Sequence, residues 1–143
     1  MFLSRYQHAL DDKGRVILPA KWRNELEGGA YVTEYSSGCL AVFTHDEFLR
    51  VANNIRSQSQ NGASERYMTM SFFSGAVDVQ PDKQGRIAIP PHLREYAQLD
   101  GEIMLAGHFD HIEIWNIENF HTKRGVGTAM LQGEEGIAVF SAS

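Results

Sequence analysis

The sequence predicts an α+β, β-rich fold made of two tandem, pseudo-symmetric repeats that close on one shared core with short flanking helices. The first observation behind this is a duplication. The segment Asp11-Asp12-Lys13-Gly14-Arg15-Val16-Ile17-Leu18-Pro19-Ala20-Lys21-Trp22-Arg23 recurs 71 residues later as Asp82-Lys83-Gln84-Gly85-Arg86-Ile87-Ala88-Ile89-Pro90-Pro91-His92-Leu93-Arg94. The shared frame is Asp-x-x-Gly-Arg, an apolar run, Pro, two variable residues, an apolar residue and Arg, and a repeat of this kind decides architecture. The second observation is that short strand-like runs bounded by Asp and Gly surround both copies. The third is length: 143 residues can bury one core but hardly two, so units of about 50 residues must share it.

The elements follow in order. Residues 2–10 and 72–80 mix apolar and polar residues, loosely alternating as Phe73, Gly75, Val77 and Val79 do, and read as strands; Phe2, Tyr6 and His8 align with Phe73, Val77 and Val79. Asp11 with Gly14, and Asp82 with Gly85, shape tight turns, because Asp bonds the backbone two residues on and Gly accepts positive φ. Each turn is expected to return the chain as a hairpin whose second arm starts at Arg15 or Arg86. Pro19 and Pro90 then open short helices. Trp22 and Leu26, and likewise Leu93 and Ala97, lie four apart on the inner face of those helices.

Two further hairpins are expected, 30–35 with 39–43 and 102–107 with 111–115, joined by Ser36-Ser37-Gly38 and His108-Phe109-Asp110. Thr44 and Asn116 can cap the helices that come next, the first of which should reach about Gln58. This divides the chain into a first repeat at 1–56, a linker at 57–66, a second repeat at 67–124 and a Gly-rich tail at 125–143 expected to be largely unordered.

The single cysteine, Cys39, cannot form an internal disulfide and fits a reducing cytoplasm; it aligns with His111 and reads as a small strand residue. Neither a signal-peptide core at the N-terminus nor a membrane-length apolar stretch is visible, so a soluble protein without a membrane partner is expected. The net charge of −5 argues against nucleic acid. Placement argues the other way. Lys13, Arg15, Lys21 and Arg23, with Lys83, Arg86 and Arg94, supply seven of the thirteen Lys and Arg residues within the two motifs, against only Asp11, Asp12 and Asp82.

DNA affinity needs Lys or Arg near phosphates, and base readout most often uses an Arg forked onto guanine. Arg15 and Arg86 follow tight turns directly and so project from rigid backbone. They are the leading candidates for DNA contact, supported by Lys13 and Lys83, with Lys21, Arg23 and Arg94 as outer phosphate contacts and Asp11, Gly14, Asp82 and Gly85 shaping the turns. An internal alternative stands beside this: Arg15 and Arg86 can pair with Asp11 and Asp82, and Arg23 and Arg94 can pack their stems against strands.

The two Asp-x-x-Gly-Arg motifs, each followed by an apolar strand and Pro, closely resemble the MraZ family of bacterial transcriptional regulators. The stretch at 101–115, Gly-Glu-Ile-Met-Leu-Ala-Gly-His-Phe-Asp-His-Ile-Glu-Ile-Trp, is similar to the second half of that family, and the resemblance spans roughly residues 1–124. It implies an AbrB-like swapped-hairpin or double-split β-barrel fold and ring-shaped homo-oligomers. It also implies binding to repeated boxes in double-stranded promoter DNA of the division and cell-wall gene cluster, including the protein's own promoter, at the nucleoid. After about residue 124 the sequence departs from the family, where a Gly-rich stretch replaces a helical ending.

Two other classes compete. An enzyme or metal reading would start from His108, Asp110 and His111, which can bind metal or move protons. They sit in a tight hairpin, the other histidines are scattered, and no His-Glu-x-x-His, P-loop or Gly-x-Ser-x-Gly signature is present, so neither catalytic residues nor cofactor or metal ligands are expected. The remaining alternative is a ring-forming protein-interaction or assembly module that does not bind DNA.

Overall fold

A computed structural model describes residues 1–142. In the first unit the elements are β1 (Arg5–Ala9), β2 (Arg15–Ile17), α1 (Ala20–Arg23), β3 (Ala30–Glu34), β4 (Leu40–Thr44) and α2 (His45–Gln58). Helix α3 (Ala63–Gly75) leads to the second unit, with β5 (Val77–Val79), β6 (Arg86–Ala88), α4 (Pro91–Tyr96), β7 (Glu102–Gly107), β8 (Ile112–Asn116) and α5 (Ile117–Gln132). A last helix, α6 (Glu134–Ser141), follows. The mixed, β-rich architecture and the hairpins β3–β4 and β7–β8 are as the sequence predicts. So are the caps: Thr44 Oγ1 accepts from the Glu47 amide and Asn116 Oδ1 from the Asn119 amide.

The first hairpin of each unit is different. Its two arms do not pair with each other. β1 pairs with β7, β5 with β3, and β2 with β6, all antiparallel, so every one of these ladders joins the two units. The turn itself closes as expected, the Gly14 amide donating to the Asp11 carbonyl at 3.0 Å. Beyond it, Val16 and Leu18 bury themselves by crossing to Ile87 and Ile89 of the other unit. The result is an open six-stranded sheet, ordered β1-β7-β8-β4-β3-β5, and a separate two-stranded ribbon, β2-β6. The closed barrel form expected with the resemblance is not what this strand order draws.

The register reveals a twofold relation between the units. Val16 faces Ile87 in the ribbon and Ala41 faces Glu113 at the centre of the large sheet. Each pair matches equivalent positions of the repeat, so equivalent strands meet about their midpoints. The shared core lies between ribbon and sheet. Leu18, Trp22, Leu26, Val32, Leu40 and Val42 of the first unit pack in one cluster with Ile87, Ile89, Leu93, Ile103, Leu105 and Ile112 of the second. Trp22 is its largest fully buried side chain and meets Phe2 and Tyr6 edge-on, at ring separations of 5.9 and 5.1 Å.

The region 72–80 departs from the sequence reading. Only Val77–Val79 forms a strand; Phe72 and Phe73 belong to α3. Their rings gather against Phe48 of α2, with Phe72 also near Phe43 of β4, and the Thr33 hydroxyl donates to the Phe72 carbonyl at 2.7 Å. Aromatic packing on the outer face of the sheet therefore overrides the local alternation. The tail departs as well. Where the sequence expects largely unordered chain, α5 continues through Gly125 and Gly127 to Gln132, and α6 folds back on it. Gly136 permits this close turn, because a Cβ there would overlap the backbone of Leu131.

Cys39 is buried, its thiol pushed up from the ordinary 9.0 by burial and then by the nearby Glu113 charge, which makes it a packing residue. Among the described residues no helix is long and apolar enough to cross a membrane. Since Trp22 fills the centre of a core that both units share, Trp22→Ala should lower unfolding free energy by about 3–5 kcal/mol in one cooperative transition, read by urea denaturation.

Candidate nucleic-acid interface

The ribbon β2–β6 has two unlike faces. Val16 and Ile87 turn inward and are buried, while Arg15 and Ile17 of one strand, and Arg86 and Ala88 of the other, turn outward. Arg15 lies opposite Ala88 and Arg86 opposite Ile17. The two arginines are thus diagonal neighbours, roughly 7–8 Å apart at the backbone. Ile17, 45% exposed, sits between them. Neither Ile17 nor Ala88 was singled out by the sequence reading. The period of two could have found them, since Arg15 and Ile17 must share a face if Val16 is buried.

Each arginine is set by a turn of the same geometry. In the first, the Lys13 and Arg15 amides donate to Asp11 Oδ1 at 2.9 Å each, and Arg15 Nε donates to Asp11 Oδ2 at 2.6 Å. In the second, the Gln84 and Arg86 amides donate to Asp82 Oδ1 at 2.9 Å each, and Arg86 Nε to Asp82 Oδ2 at 2.7 Å. Gly14 and Gly85, at φ +73° and +80°, supply the left-handed residue that precedes each arginine. The backbone amide of Arg15, more than its guanidinium, holds the Asp11 carboxyl below the usual 3.8, against a desolvation effect that raises it. The Arg86 amide does the same for Asp82.

Asp pairing and outward contact are therefore compatible. Of each guanidinium the carboxylate takes Nε alone, and the two terminal amino groups of Arg15 and of Arg86 have no hydrogen-bond partner among the described residues. A half-buried pair of this kind, still reached and screened by solvent, adds little stability. Its effect is to fix the plane and direction of a guanidinium fork that can take a phosphate or a guanine edge in bidentate fashion.

Arg23 and Arg94 are anchored differently and link the two units. Both are half-buried, and each donates Nε to the carbonyl of the residue just past the preceding strand of its own unit: Arg23 to Leu18 at 3.0 Å, Arg94 to Ile89 at 2.9 Å. Their guanidinium groups then cover the turn of the other unit, Arg23 against Gly85 and Arg94 against Gly14. Each basic corner is consequently composite. Lys13 and Arg15 stand with Arg94, and Lys83 and Arg86 stand with Arg23. Lys13, Lys83 and Lys21 are exposed, Lys21 on α1 rather than on the ribbon.

The sequence profile of the MraZ protein family matches residues 1–70 and 72–123. The chain is 47% identical over 116 residues to the transcriptional regulator MraZ of Salinispora arenicola, covering 81% of this chain and 82% of that protein. It is 44% identical over 122 residues to the protein of the same name from Parafrankia sp., covering 85% of each. A third, from Carboxydothermus hydrogenoformans, is 40% identical over 118 residues, covering 82% of each.

The depressed carboxyls set a sign for acid behaviour. A carboxylate whose folded value is lowered contributes stability above its ordinary value, and that contribution is lost as pH falls through the lower folded one. Side-chain carboxyl NMR titration should place both Asp11 and Asp82 below 3.8, and Arg15→Ala should raise Asp11 toward it without moving Asp82.

Proposed function

The chain belongs to the MraZ family, and on that premise we propose that it is a transcriptional regulator that binds double-stranded promoter DNA through the β2–β6 ribbon. The single observation that carries this reading is the pair of identical Asp-held arginines on one two-stranded ribbon. A two-stranded ribbon fits the major groove, where Arg15 and Arg86 can fork onto guanine edges and the exposed Ile17 can touch a thymine methyl. Lys13, Lys83 and Lys21, with the free ends of Arg23 and Arg94, supply phosphate contacts around them. The exchanged strands support the swapped-hairpin reading of the fold, with the ribbon and the open sheet as parts of one double-split arrangement.

The functional unit on this reading is a ring-shaped homo-oligomer in the cytoplasm, associated with the nucleoid. Exposed apolar side chains support self-association: Ile137, Val139 and Phe140 on α6, with Phe140 73% exposed, and Leu49, Tyr67 and Met68 on α2 and α3. A ring arrays many modest ribbons, and several of them on repeated boxes multiply affinity through effective concentration. This answers the acidic total charge, since each ribbon need bind only weakly. The boxes are those upstream of the division and cell-wall gene cluster, including the protein's own promoter. The chemistry is recognition, with no catalytic step.

Mobility shifts on tandem upstream boxes test the reading. Arg15→Ala or Arg86→Ala should each cost about 1–3 kcal/mol per box engaged, and the affinity should fall steeply with salt. No binding by wild type, with the oligomer intact by light scattering, would favour the assembly module that needs no DNA, whereas unchanged binding by the double variant would remove the ribbon as the contact surface.

A further inference from the structure

The β7–β8 turn gathers a polar cluster on the six-stranded sheet that DNA binding by the ribbon does not use. His108 follows β7, His111 precedes β8, and Glu113 lies within β8. The two imidazole rings stack at 4.7 Å, and Glu113 Oε2 lies 2.9 Å from His111 Nε2 and 4.0 Å from His108 Nε2. All three atoms fall within 4.8 Å of one another. His111 and Glu113 are 3% and 9% exposed, so this carboxylate and this imidazole are held in the interior.

The atoms that do not converge are tied back. His111 Nδ1 bonds Asp110 Oδ1 at 2.9 Å, and Trp115 Nε1 donates to Glu113 Oε1 at 2.9 Å. A carboxylate on the far nitrogen of an imidazole fixes which nitrogen faces inward and raises its basicity, the arrangement that supports metal-ligating histidines. The fold does not demand this cluster. At the equivalent places in the first unit stand Tyr35, Cys39 and Ala41, in a hairpin whose connection is one residue longer.

We propose that His108 Nε2, His111 Nε2 and Glu113 Oε2 form a binding site for one divalent transition-metal ion of the zinc class. Two imidazoles and a carboxylate are a recognised donor set for such ions, with ligand distances of about 2.0–2.2 Å and a fourth position open. Ligands at that radius stand about 3.4 Å apart around a tetrahedron, so the 4.0 Å between His108 Nε2 and Glu113 Oε2 has to close by roughly half an ångström, a movement open to a His108 side chain that is 66% exposed. His108 and Glu113 also line a groove of about 770 Å³ with Trp115, Phe120 and residues of α5 and α6, which gives the fourth position access to water. This site is independent of the DNA reading.

The test uses the untagged, full-length protein stripped with chelator and titrated with Co²⁺, followed by visible absorption, with Zn²⁺ as competitor. One cobalt per chain is expected, displaced by zinc. Asp110→Asn, a positioning change, should weaken binding about 10- to 100-fold, and His108→Ala by at least as much, while His121→Ala leaves it unaltered. Circular dichroism checks that the exposed His108 variant remains folded. No uptake at one ion per chain, equal affinity in His108→Ala, or equal loss in His121→Ala overturns the site.

Discussion

The amide of Leu18 donates to the carbonyl of Gly85 at 2.8 Å, and the amide of Ile89 donates to that of Gly14 at 2.9 Å. These reciprocal bonds extend the ribbon across the two units and make each turn part of the other unit's structure. Much else depends on them. They hold the buried faces of β2 and β6 over the sheet, where Val16, Leu18, Ile87 and Ile89 enter the core. They bring each glycine beneath the opposite unit's arginine, so that Arg94 covers Gly14 and Arg23 covers Gly85. They also place Arg15 and Arg86 on a single outward surface, though 71 residues separate them.

The Asp–Arg pair shows how a weak interaction can have a strong structural effect. At the surface an ion pair adds little free energy, and the pairing cancels part of the local positive charge. What it removes is freedom. With Nε committed to carboxylate and the carboxylate committed to two backbone amides, the fork is aimed before any ligand arrives, which lowers the ordering cost of binding. The same economy of position recurs at His111, whose outer nitrogen is held by Asp110.

How much of this was legible in the sequence depended on whether the signal was local. The duplication, the β3–β4 and β7–β8 hairpins, the Thr44 and Asn116 caps and the inward Trp22 and Leu93 all follow from spacings within a few residues, and the structure has them. The exchange of the first hairpin's arms was not legible residue by residue, because the same Asp and Gly make the same turn whether its arms pair together or apart; only the family resemblance pointed to it. Phe72 and Phe73 read as strand by alternation and became helix because Phe48 on α2 and Phe43 on the sheet offer them aromatic partners. At the candidate interface the arginine turns were readable, whereas the crossing of Arg23 and Arg94 to opposite corners depends on tertiary placement. Glu113 escaped notice for the same reason, its meeting with two histidines being a product of the β7–β8 turn.

The exchange of strands also constrains how the protein is made. Tyr6 on β1 finds its ladder partner in Leu105, and Val32 on β3 finds one of its two in Val77. A ribosome releasing the chain from its N-terminus therefore presents β1 long before β7 exists, and the emerging first unit has unpaired edges and an unclosed core. Folding must wait for most of the polypeptide, as expected for a topology rich in distant contacts. A transcript cut short within the second unit would yield a sticky fragment rather than a half-sized working protein.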